Sequence, residues 1–103
     1  MLFKIVVLRF AKSDFQLSVN WYEKIEEGLG RKLKDQIVRA IDSIADPVRG
    51  YVPVYMGLSR VFVDNFPYCI YFKLDTPRQQ IVVYALLHEK QNRDNILTQR
   101  IKP

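Results

Sequence analysis

A lone cysteine, Cys69, excludes an internal disulfide, and a lone histidine, His88, leaves no ligand spacing for a metal site. Cys69 lies among aromatic and aliphatic residues and is expected to be a small, buried apolar side chain. The chain is therefore expected to work without a metal or any other cofactor. No apolar run approaches the roughly 18 residues that a membrane helix needs, so a soluble protein is expected. Met1 to Phe10 is apolar, but Lys4 and Arg9 interrupt it and no small-residue cleavage site follows, which favours a strand over a leader. Linkers, repeats and low-complexity tracts are missing too. With 103 residues, one hydrophobic core and a single domain over residues 1–103 are expected.

What is present suits such a core: 49% of residues are apolar and 26% charged, within the ordinary globular range. The net charge of +5 is unevenly spread. Between Ser13 and Asp46, five Lys/Arg face seven Asp/Glu, which leaves +7 on the rest of the chain. The excess lies on the β-rich part and the C-terminal tail. Segregated basic charge suits an acidic partner, either a phosphate backbone or an acidic protein segment; the plainer reading is lysines kept for solubility.

The periodicity divides the chain into elements. Phe3, Ile5 and Val7 alternate as in a strand with one buried face. Ser13 with Gln16 three residues on has the form of a capping box and predicts a helix starting there. Phe15, Val19, Tyr22, Ile25 and Leu29 form its apolar stripe, which Leu17 and Trp21 widen; Trp21 is expected in the core. Gly28 and Gly30 predict a tight turn, because glycine accepts positive φ at little cost. Leu33, Ile37, Ile41 and Ile44 mark a second helix, which must end before Pro47. From there the period is two: residues 51–55, 61–64, 68–74 and 81–87 predict strands, with turns at 65–67 and 75–80. The expected fold is α+β: an N-terminal strand, an antiparallel helical hairpin, a three- to four-stranded antiparallel meander and a short tail.

In that order, the fragments AKSDFQLSVNWYEKI, EEGLGRKLKDQIVRAIDSI, SRVFVDNFPYCIYF and IVVYALLHEKQNR resemble the RelE/ParE toxin superfamily of type II toxin-antitoxin and plasmid stabilisation systems. The resemblance spans nearly the whole chain and is closer to the ParE branch. Two departures stand out. Many relatives carry a basic pair where this chain has Ser59 and Arg60. Many also follow the strand-end histidine with Arg-x-Pro and then a tryptophan, where this chain has Gln91, Asn92, Arg93 and then Ile96.

A ParE-like toxin, as the resemblance implies, poisons DNA gyrase by binding and is not an enzyme. Arg60, His88, Lys90, Arg93 and Arg100 are then the candidates for target contact. The alternative is a RelE-like, ribosome-dependent mRNA endonuclease, in which a 2′-hydroxyl attacks the adjacent phosphate. That reaction needs a proton acceptor, a cation for the developing charge and a donor for the leaving oxygen. Arg60, His88 and Arg93 are its candidates, on strands that the meander could bring to one edge. Against it, no tyrosine follows Tyr84, and Tyr84 lies within an apolar strand. The plain reading gives His88 a backbone hydrogen bond and pairs the arginines with Glu89 and Asp94. An inactive relative is a further alternative.

An RNA-stacking platform built on Tyr68, Phe72 and Tyr84 is disfavoured by the element order, because an RRM interleaves helices with its strands and carries a glycine-bearing aromatic motif. The resemblance also implies a cytoplasmic protein with a cognate antitoxin, whose acidic segment would suit a basic face. The free edge of the meander and the grooves beside the hairpin, near Trp21 or Leu33, are candidate docking places.

Overall fold

The computed structural model describes residues 2–46 and 50–101. Its elements are β1 (Lys4–Val7), α1 (Arg9–Ile25), α2 (Leu29–Ile44), β2 (Ser59–Phe62), β3 (Tyr68–Asp75), β4 (Gln80–His88) and α3 (Arg93–Ile101). The last three strands form the expected antiparallel meander. β1 lies beside β4 and runs parallel to it, giving a mixed sheet of order β1-β4-β3-β2. Pro47 lies outside the described residues; α2 ends at Ile44, three residues before it.

The helical hairpin covers one face of the sheet. Ala11, Leu33, Ile37, Ala40 and Ile44 pack there on Ile70, Phe72, Ile81, Val83 and Leu86, with Phe15, Val19 and Tyr22 at the margin. A bulge in β4 makes this arrangement work. Tyr71 is opposite Ala85 and Phe72 is opposite Val83, so Tyr84 is the extra residue and the alternation of faces shifts by one beyond it. Val83 and Leu86 thus share the hairpin face, while Ala85 and Leu87 turn to the other.

That other face is closed by α3, where the sequence suggested only a tail. Leu97, fully buried, joins Leu58, Tyr71, Ala85 and Leu87 in a second core, with Ile96 and Ile101 beside it. The Asn92 carboxamide caps the helix by accepting the Asn95 amide at 3.0 Å. Asp94 in the first turn and Arg100 in the last suit the helix dipole.

Three further expectations are corrected. Helix α1 begins at Arg9, so Ser13 is inside it and makes no capping box; Leu8 precedes the helix with no side-chain cap. The Leu8 amide donates to the Val83 carbonyl at 3.0 Å, so the chain passes directly from β1 into the helix. Residues 51–55 form no strand. Pro53 has no amide to donate, and Met56 (φ 49°) and Gly57 (φ 80°) make a tight turn that leaves only a bridge from Tyr55 to Leu58. Tyr51 instead sets its ring edge-on to Phe72, 5.0 Å away. Trp21 is 57% exposed rather than in the core, because Tyr22 and Phe15 take the sheet-facing side of α1.

The turn between α1 and α2 falls at Gly28 as expected, but Leu29 and Gly30 belong to α2, so Leu29 does not extend the stripe of the first helix and Gly30 needs no positive φ. Gly28 has φ 88°, and the Glu23 carboxylate accepts the amides of Gly28 (2.9 Å) and Gly30 (3.0 Å), so the first helix caps the second.

Candidate functional site: a basic cleft on the α3 face

The strand register brings Arg60, Tyr71 and Ala85 into one row across the sheet, and Phe62, Cys69 and Leu87 into another. These rows lie on the face closed by α3. At the N-terminal start of α3, they leave an open cleft of about 420 Å³, completed by His88, Glu89, Gln91, Asn92, Arg93 and Asp94. Arg60, His88 and Arg93, the three residues singled out for catalysis, all line it. Lys90 is next to His88 but not in the lining. Arg100 is elsewhere: its guanidinium makes a two-pronged pair with Asp14 at the far edge of β4.

Most of these groups already have partners. Arg60 lies over the exposed Phe62 ring, 5.1 Å from its centre. Arg93 lies 5.1 Å from the centre of the Tyr55 ring, and its Nε donates to Asp94 at 3.0 Å. That hydrogen bond is the main cause raising the Arg93 pKa from its ordinary value, against an opposing desolvation. The His88 amide donates to Gln91 Oε1 at 2.7 Å, and His88 Nδ1 accepts the Lys90 amide at 3.1 Å. A neutral His88 therefore carries its proton on Nε2 and has no free acceptor nitrogen. Its ring lies edge-on to Tyr68, 5.2 Å away. The plain expectation for His88 thus agrees with the structure, as does the pairing of Arg93 with Asp94.

Cys69 is half-buried on the floor of the cleft, and burial pushes its thiol pKa up, only partly offset by Arg60 and Arg93. As a nucleophile it is disfavoured, since the thiolate is the reactive form. Sequence reasoning missed Tyr71 and Phe62. Tyr71 is buried in the second core yet lines the cleft beside Arg60 and Arg93. Only the pairing of β2 with β3 reveals it, because along the chain it is one of several aromatics in an apolar run. Among the described residues, no group of His, Cys, Asp and Glu is placed to hold a metal. Among the same described residues, no helix is long and apolar enough to cross a membrane.

No protein-family model matches the chain, and no curated protein matches its sequence. Solved structures do match its fold, which is that of the RelE/ParE toxins. A chain of the chromosomal ParDE TA system from P. aeruginosa superposes with a TM-score of 0.67 at 15% identity, over 84% of this chain and 96% of that one. A mutant of the E. coli toxin RelE in the free state gives 0.54 at 10% identity, over 99% and 100%. A chain of the toxin-antitoxin complex RelBE2 from Mycobacterium tuberculosis gives 0.51 at 15% identity, over 88% and 95%.

Proposed function

We propose that this chain is the toxin of a type II toxin-antitoxin pair, cytoplasmic and silenced by a cognate antitoxin, and that it arrests growth in the ParE manner by poisoning DNA gyrase. The observation that carries the toxin reading is the agreement of fold with chains from toxin-antitoxin systems along most of their length. The state of the cleft favours binding over bond breaking. A general base there would need a free acceptor, and His88 Nδ1 is already bonded to the Lys90 amide. In the binding reading, Arg60 and Arg93 are contact cations for gyrase or its DNA, and Lys90 adds charge at the rim. Arg100, committed to Asp14, holds the fold together rather than the target.

A RelE-like mRNA endonuclease is the second reading, favoured by one specific observation: Arg60, His88 and Arg93 line the same cleft. Induced expression in a bacterial host separates the two. The gyrase reading expects growth arrest with DNA double-strand breaks and intact messages, whereas arrest with messages cut at ribosomes would install the nuclease. Unimpaired growth in several hosts would mark an inactive relative.

A further inference from the structure

The turn that joins β4 to α3 is held at His88 by three hydrogen bonds. Its amide donates to Gln91 Oε1 at 2.7 Å, its carbonyl accepts the Gln91 amide at 2.9 Å, and its Nδ1 accepts the Lys90 amide at 3.1 Å. The last has the form of an Asx turn, in which a side-chain acceptor bonds the backbone amide two residues on. An imidazole nitrogen stands here where aspartate or asparagine places an oxygen. Of the three bonds, this one alone depends on the protonation of a side chain. The Glu89 amide donates to the Pro67 carbonyl at 2.9 Å, and α3 begins at Arg93 directly after the Asn92 cap.

We propose that His88 is a pH-sensitive latch on this turn, closed while its imidazole is neutral and opened when the ring takes up a second proton. An imidazolium carries a proton on both nitrogens, so Nδ1 changes from acceptor to donor and faces the Lys90 amide, donor against donor. No rotation of the ring restores the bond, because the charged ring has no acceptor nitrogen. Histidine is the side chain that ordinarily gains its charge between about pH 8 and about pH 5. Against the ring is Tyr68 on β3, edge-on at 5.2 Å, with Tyr22 of α1 behind it. The cleft beside it is lined by Arg60 on β2, Cys69 on β3, Glu89 of the turn, and Arg93 and Asp94 on α3, with Lys90 adjacent. Asp14, the α1 carboxylate that reaches β4, is held by Arg100.

Opening the latch removes a restraint on the segment that carries Asn92, Arg93 and Asp94 into the cleft. The α3 wall of the cleft is therefore loosened by acid, while the walls on β2 and β3 stay fixed in the sheet. The latch belongs to the turn and does not depend on which target the cleft meets.

His88 is the only histidine, so the imidazole signals in nuclear magnetic resonance report its titration without ambiguity. The full chain, labelled with nitrogen-15, would be followed from about pH 8 to about pH 5. The expected result is a neutral ring protonated on Nε2 at the upper end. As the ring gains its charge, the protection of the Lys90 amide, measured against the unstructured exchange rate at each pH, should fall roughly three- to tenfold with the same midpoint. His88→Asn supplies an acceptor that does not titrate and should keep the Lys90 protection constant over the range. His88→Phe keeps a ring against Tyr68 without an acceptor and should leave the Lys90 amide unprotected throughout. A ring that is neutral over the whole range or protonated on Nδ1 at its upper end overturns the proposal. So does a Lys90 protection that ignores the titration, or one that falls equally in His88→Asn.

Discussion

Asp14 on α1 and Arg100 on α3, 86 residues apart, join the two faces of the sheet in an ion pair with contacts of 2.6 and 2.9 Å. They also complete the edge of β4. β1 pairs with β4 only as far as Val83, and beyond it Asp14 Oδ2 accepts the Leu86 amide at 3.0 Å while Arg100 donates to the Tyr84 carbonyl at 3.2 Å. Two side chains thus serve in place of the missing strand, satisfying backbone groups that would otherwise be left open.

Removing either partner leaves a largely buried charge and an unmatched edge. Asp14→Ala and Arg100→Ala should each lower the unfolding free energy by about 2–3 kcal/mol, and the double variant should lose much less than their sum. Chemical denaturation of the four proteins in the cycle tests this; additive losses would mean that the pair is not coupled.

Arg93 is a contrasting case. Its pair with Asp94 is open to solvent, so Arg93→Ala should change stability by less than about 0.5 kcal/mol. If Arg60→Ala and Arg93→Ala reduce toxicity at unchanged stability, the cleft is a contact surface. Full toxicity in Arg60→Ala, His88→Ala and Arg93→Ala alike would remove the cleft from either mechanism.

Gly30 is inside α2, where alanine normally stabilises a helix by about 1 kcal/mol. Here a Cβ would lie 2.5 Å from the Val19 carbonyl oxygen and 2.9 Å from the Glu23 carboxylate. Gly30→Ala should therefore destabilise by about 1–3 kcal/mol, since the obstacle is backbone of the crossing helix. An unchanged melting temperature would contradict the close approach of α1 and α2.

Burial raises the pKa of the Cys69 thiol, and burial followed by the neighbouring Tyr68 raises that of Tyr22. A group whose pKa is higher in the folded state contributes stability below its unfolded pKa and loses it as pH rises through the folded one. Stability should accordingly decline in the alkaline range, beginning near the ordinary thiol pKa and continuing through that of tyrosine. Alkylation of Cys69 should reach half its maximal rate at a higher pH in the native protein than in denaturant. A native profile matching the denatured one would show that the cleft floor does not disfavour the thiolate.

Much of this architecture was legible in local patterns. The stripe Leu33, Ile37, Ile44 and the alternation in β3 and β4 identify the buried faces, because each pattern repeats within a few residues. The Asn92 cap and the spacing of Ile96, Leu97 and Ile101 carried a comparable signal for α3, in a segment short enough to be taken for a tail. Ser13 and Trp21 misled for the opposite reason: their neighbours in sequence fit a capping box and a core stripe, but the Val83 carbonyl starts the helix earlier and the sheet turns its registration.

The sequence by itself determined the order of β1, the helical hairpin and the three-stranded meander, the helix-to-helix turn at Gly28, and the placing of basic charge outside the hairpin, since all three depend on residues near one another in the chain. Only the tertiary structure decided that β1 runs parallel to β4, that a bulge at Tyr84 shifts the faces, that Tyr71 lines one cleft with Arg60 and Arg93, and that Arg100 pairs with Asp14. Those are matters of register between distant segments. A shift of one residue exchanges the two faces of a strand, and which register wins is set by the packing of both cores at once.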